Sequence, residues 1–188
     1  GLGAAAITKY CHSVLRLPTT AVEINPQVIA ACRNWFHLPD NDERLNVILG
    51  DAAKYVTKDE HIATADALCV DLYDHDAASP VLDDEAFYRA CWRVLDDGGI
   101  MTVNLFGRDA SFERSASRIS AAFGEGRVAM LKPTTEGNTI VLAWKGFDMP
   151  EREVLAQRAE TLQTRWSLPA RKWVKLLSTF TPAATSKT

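Results

Sequence analysis

A glycine turn and a set of carboxylates are spaced along this chain so that a single nucleoside ligand could meet all of them. The chain begins GLGAAAI, in which Gly1, Gly3 and Ala6 satisfy the pattern G-x-G-x-x-G/A. Glycines at those positions allow a tight turn and a close backbone approach to a ligand at the start of a helix. Glu23 ends the next β-branched run, TTAVE, twenty residues after Gly3, where a carboxylate can accept hydrogen bonds from both hydroxyls of a ribose. These two features alone are equally compatible with a dinucleotide. Asp51 closes LNVILGD, where its carboxylate can accept the exocyclic amine of adenine while the N–H of Ala52 meets a ring nitrogen. Asp71, Asp74 and Asp76 follow in VDLYDHD. Clustered carboxylates raise one another's pKa and persist most readily where a cation sits among them. Each feature also has a plain structural reading: a packing turn, a solvated charge at a strand end, or an acidic loop in water, the last adopted here for Asp76.

These residues need strands to carry them to one edge, and the hydrophobic pattern supplies them. Ile7, Cys11, Val14 and Leu15 recur at helical spacing until Pro18, TTAVEI is a short strand, and NPQVIAACRNWF is a helix with Asn25 as N-cap and Pro26 at its first position. LNVILGD and DALCVDLY read as buried strands, with room for a helix between residues 52 and 64. Phe87, Cys91, Val94 and Leu95 stripe a helix that starts near Asp83 or Asp84 and stops at Gly98; GIMTVNLF is the strand after it. Phe112, Ala116, Ile119 and Phe123 stripe another helix, ended by Gly124. RVAMLKP and NTIVLAWK, joined by TTEG, leave no room for a crossover and must pair as an antiparallel hairpin. Past Pro150, Leu155, Ala159, Leu162 and Trp166 mark a last helix, and TPAATSKT is a polar tail expected to be disordered.

The resulting expectation is an α/β chain: a Rossmann-like, doubly wound, mostly parallel sheet with a C-terminal antiparallel hairpin, ligands binding at the carboxyl edge of the strands. The glycine turn would follow the central strand, so the first strand is expected to lie ahead of Gly1, outside this chain. The expected organisation is a nucleotide-binding domain over 1–146, a helical extension over 147–180 and the tail over 181–188.

Composition narrows the partners. The chain has 188 residues, 47% hydrophobic and 24% charged, with a net charge of −3, which suits one soluble core and argues against a polyanionic backbone such as nucleic acid. No apolar run reaches the roughly 18 residues of a membrane span, and no leader is evident. Cys11, Cys32, Cys69 and Cys91 each sit in an apolar stretch, so buried reduced thiols and a cytoplasmic location are expected. His12, His37, His61 and His75 lack ligand spacing, so no metal is expected. Trp35, Phe36, Phe87, Tyr88 and Trp92 lie on helical stripes and read as core or interface residues. Trp166 and Trp173 are candidates to cover a sheet edge or the partner in a homodimer.

In order, GLGAAAI, AVEINPQVIAACRNWF, LNVILGDAAKYV, DALCVDLYD, AFYRACWRVLDDGGIMTVNLFG and the closing hairpin resemble the spermidine synthase family of aminopropyltransferases, within the S-adenosylmethionine-dependent methyltransferase fold. The resemblance runs from Gly1 to about Gly146. It implies a transferase of polyamine biosynthesis that moves an aminopropyl group from decarboxylated S-adenosylmethionine to an amine such as putrescine, without a metal. It further implies that Gly1 and Gly3 face the methionine-derived part of the cosubstrate, Glu23 and Ile24 its ribose, Asp51 and Ala52 its adenine, with Leu72 also on the cosubstrate side. Asp71 matches the family's catalytic aspartate and Asp74 the one that holds the amine, flanked by Tyr73 and His75. The family pattern there is D-S-S/T-D-P; here Leu72 and Tyr73 replace the hydroxyl residues and His75 the proline. The glycine loop departs as well, with Ala4 and Ala5 where the family is richer in glycine and carries an acidic residue. Two readings therefore stay open beside the first: a methyltransferase using S-adenosylmethionine itself, and a non-catalytic cosubstrate-binding homologue.

Overall fold

The computed structural model describes residues 1–72, 80–106 and 110–182. Helix α1 (Ala6–Lys9) continues into a π-helical turn at Tyr10–Val14 and is followed by β1 (Thr19–Glu23), α2 (Pro26–Trp35), β2 (Leu45–Leu49) and α3 (Ala52–Val56). Then come β3 (Ala65–Val70), α4 (Glu85–Val94), β4 (Leu95–Phe106), α5 (Ala110–Phe123), β5 (Val128–Leu131) and β6 (Asn138–Trp144). The chain closes with α6 (Arg152–Trp166), α7 (Ala170–Leu176) and β7 (Leu177–Thr179).

Strand then helix, repeated, forces parallel pairing, because a crossover helix returns the chain to the same end of the sheet. β1 pairs parallel with β2, and β3 parallel with β4. The hairpin is antiparallel, β6 lying between β4 and β5. The sheet is interrupted: β1 and β2 form one sheet, and β3-β4-β6-β5-β7 the other. Among the described residues, β1 and β3 each have a hydrogen-bonded strand on one side only. The glycine turn joins their carboxyl ends, contacting Glu23 on one side and Asp71 on the other.

Each sheet has its own apolar cluster. Val70, Phe87, Tyr88, Cys91, Val94, Leu95, Met101, Val103, Ile119 and Val141 form the larger one, under α4 and α5. Leu2, Ala5, Ala21, Cys32, Leu38 and Leu45 form the smaller, beneath α1 and α2. Asn25 caps α2 by accepting from Gln27 N at 2.9 Å, with Pro26 at the first helical position, and Asp84 caps α4 by accepting from Ala86 N at 2.8 Å. Tyr88, fully buried, donates its hydroxyl to Leu82 O at 2.8 Å, which satisfies its polar tip inside the core.

Several expectations change. The first helix is shorter and turned over: Ile7 and Val14 are 59% and 51% exposed, while Thr8 and His12 are buried. His12 Nε2 lies 2.8 Å from Asp42 Oδ2 on this inward face. Helix α4 stops at Val94, and Leu95 to Gly98 already belong to β4. The C-terminal segment, read as helical, also contributes β7, which pairs with β5. Trp35 is 77% exposed, whereas Phe87 and Tyr88 are core. All four cysteines are free, but Cys69 is exposed. Among the described residues, no helix is long and apolar enough to cross a membrane.

Candidate functional site

The carboxyl ends of β1, β2 and β3 carry Glu23, Asp51 and Asp71, and the glycine turn sits on two of them. Leu2 N donates to Glu23 Oε2 at 2.9 Å, and Asn25 N donates to Oε1 at 2.9 Å. The carboxylate, only 9% exposed, therefore ties the turn to the strand end, and each oxygen keeps a second lone pair for a ligand hydroxyl. Gly50 N donates to Glu23 O at 2.8 Å, which brings the end of β2 alongside. Gly1 lies against β3: a Cβ built on it would come within 2.2 Å of Asp71 O. Only glycine fits so close to another backbone.

The turn itself is left-handed at Gly3 (φ 52°) and at Ala5 (φ 58°). Nothing lies within 4 Å of where a Cβ on Gly3 would be, so space for a ligand is open on that side.

Asp51 caps α3, its Oδ1 accepting from Ala53 N at 2.8 Å, and Ala52 is the first residue of that helix. The oxygen read from the sequence as an adenine acceptor is thereby engaged by the backbone, leaving its remaining lone pairs for a ligand. Ile24, beside Glu23, is 68% exposed, and Leu72 lies near Gly1, its Cδ2 being 3.8 Å from the constructed Cβ. The structure thus brings Gly1, Glu23, Asp71 and Leu72 together around the turn. Tyr73, Asp74 and His75 lie outside the described residues. Among the described residues, no group of three or more potential metal ligands clusters.

Sequence reasoning missed two residues at this edge. Asn104, on β4, donates from Nδ2 to Asp71 Oδ1 at 3.1 Å. Asn138, at the start of β6, donates from Nδ2 to Asn104 Oδ1 at 3.0 Å. The signal available was a carboxamide within MTVNLF and another opening NTIVLAW, two mostly apolar runs.

Residues 8–144 match the family model described as the spermine/spermidine synthase domain. A polyamine aminopropyltransferase of Neisseria meningitidis serogroup A is 33% identical over 170 residues, covering 89% of this chain and 64% of that protein. The chain thus spans somewhat less than two thirds of that relative's length. A spermidine synthase solved in complex with the transition-state analogue AdoDATO superimposes with a TM-score of 0.57 at 26% identity, over 69% of this chain and 47% of the other. Human methyltransferase-like protein 13, solved in complex with SAH, is similar in fold over 99% of this chain and 83% of its own, with a TM-score of 0.73 at 18% identity.

Proposed function

The chain belongs to the spermine/spermidine synthase family, and from that premise we propose that it transfers an aminopropyl group from decarboxylated S-adenosylmethionine to a polyamine such as putrescine. The observation that carries this reading is the glycine turn held between the Glu23 carboxylate and the backbone of Asp71. That arrangement supports a ribose acceptor on one side of the turn and an acidic strand end on the other. Gly1 and Gly3 would lie along the donor's aliphatic arm, Glu23 and Ile24 at its ribose, Asp51 and Ala52 at its adenine, with Leu72 packing on the cosubstrate.

The reaction is an in-line displacement. The amine nitrogen attacks the carbon bonded to the sulfonium, the carbon–sulfur bond breaks, and the electron pair stays on sulfur as a neutral thioether. An alkylammonium with a pKa of about 10 has no free lone pair at neutral pH. Asp71 therefore takes its proton, directly or through water, as general base. Asp74, with Tyr73 and His75, would hold the rest of the cationic amine. Alignment supplies much of the rate, since near-attack geometry is worth about 7 to 11 kcal/mol in favourable cases.

The test is turnover with each donor. Decarboxylated S-adenosylmethionine with putrescine should yield spermidine and methylthioadenosine by mass spectrometry, and Asp71→Asn should abolish this with little change in melting temperature. Methyl transfer from S-adenosylmethionine with no aminopropyl transfer would overturn the proposal, as would an Asp71→Asn protein of parental rate.

A further inference from the structure

The carboxylate of Asp71 stands just beyond the end of β3, where a short side chain has two rotatable bonds and solvent on one side. Proton abstraction needs one of its oxygens directed at the incoming amine, so the remaining freedom must be removed by neighbours. The neighbours are on the page. Asn104 reaches across from β4 and donates Nδ2–H to Asp71 Oδ1 at 3.1 Å. Its own Oδ1 accepts from Asn138 Nδ2 at 3.0 Å. Only one setting of the Asn104 amide satisfies both contacts. Rotated by half a turn, its oxygen would face the carboxylate and its NH2 would face the NH2 of Asn138, two repulsive contacts in place of two bonds.

Asn138 is anchored in turn by its backbone. Its N–H donates to Thr134 Oγ1 at 3.2 Å and its carbonyl accepts from Thr134 N at 2.8 Å, closing the hairpin turn over 134–137. The β4–β6 register places Phe106 opposite Asn138 and Asn104 opposite Ile140, so the two amides meet diagonally across the ladder.

We infer that Asn104 and Asn138 form a two-amide relay, running from the β5–β6 hairpin turn to β3, that sets the orientation of the Asp71 carboxylate. Both are positioning residues. Oδ1 of Asp71 accepts the bond from Asn104, which lowers its basicity, so Oδ2 is the oxygen assigned to receive the proton. The part Asp71 plays in transfer rests on the aminopropyl-transfer reading; the relay itself rests on the two amide contacts.

Two measurements test it. In 15N-labelled protein, the Asn104 side-chain amide resonances, assigned by their loss in Asn104→Leu, should shift in Asp71→Ala and again in Asn138→Asp, which keeps the size of asparagine but cannot donate. Resonances unmoved by Asp71→Ala overturn the relay. In kinetics, Asn104→Leu should lower kcat by about tenfold to hundredfold, the scale of a misplaced catalytic group, with the KM for the donor within about twofold of parental. Asn138→Asp, farther from the reaction, should lower kcat several-fold with the same unchanged KM. A parental kcat in both variants overturns the proposal. Should the parent transfer no aminopropyl group while its Asn104 resonances still respond to Asp71→Ala, the aminopropyl-transfer reading fails and the relay stands.

Discussion

Glu23 holds two backbone N–H groups besides its proposed part at the ribose, so its loss should be felt twice. Glu23→Ala leaves Leu2 N and Asn25 N without their acceptor, and a buried polar group left unpaired costs about 1 to 3 kcal/mol. Cosubstrate affinity measured by calorimetry and the melting temperature should both fall; Glu23→Gln, which keeps one acceptor oxygen, should lose less of each. An unchanged melting temperature in Glu23→Ala would mean the turn is held by other contacts. The places of Glu23 and Asp71 at strand ends were legible in the sequence because each carboxylate marks where an apolar run stops. The N–H contacts of Glu23 were not, since Leu2 lies 21 positions away and only the fold brings it close. Asn104 and Asn138 were hidden for the same reason: a lone asparagine in a strand looks like any polar position until its partner on the next strand is known.

At the level of elements, the turn of residues 80–83 and helices α4 and α5 depend on two neighbouring aspartates. Asp84 caps α4, and Asp84→Ala should destabilise the protein by about 1 kcal/mol in denaturant titration. Asp83 accepts from Ser115 Oγ at 3.0 Å and lies 3.4 Å from Arg118 and 3.6 Å from Arg114. Burial works against its ionisation, but the hydroxyl and the two guanidiniums outweigh it and hold its carboxyl below the usual range. A lowered folded pKa means that this contribution is present above the unfolded value of about 3.9 and is lost as pH falls through the folded value. The stability difference between parent and Asp83→Asn, followed by urea titration, should therefore shrink on acidification; a constant difference would show that ionisation of Asp83 does not matter. Helices α4 and α5 and the hairpin were readable from period and turn chemistry. β7 was not: three residues, Leu177–Thr179, carry no pattern of their own and become a strand only by pairing with β5. Nor was the inward face of the first helical segment, where Thr8 and His12 are buried and His12 meets Asp42, 30 positions away in sequence.

For the molecule as a whole, the thiols report how cooperatively the core opens. Burial pushes the Cys91 thiol up to about 12 and raises that of Cys32, and both side chains are inaccessible. Their alkylation should proceed only through opening of the core and should slow in step with global stability, whereas exposed Cys69 should react at once. Prompt labelling of Cys91 in the native protein would indicate that α4 detaches on its own. The order of the elements was legible as a whole because alternation and right-handed crossover leave few arrangements. β6 is the feature with the widest reach: it is bonded to β4 on one flank and to β5 on the other. Val141→Pro, which removes a ladder donor, would therefore loosen two neighbours from a single position.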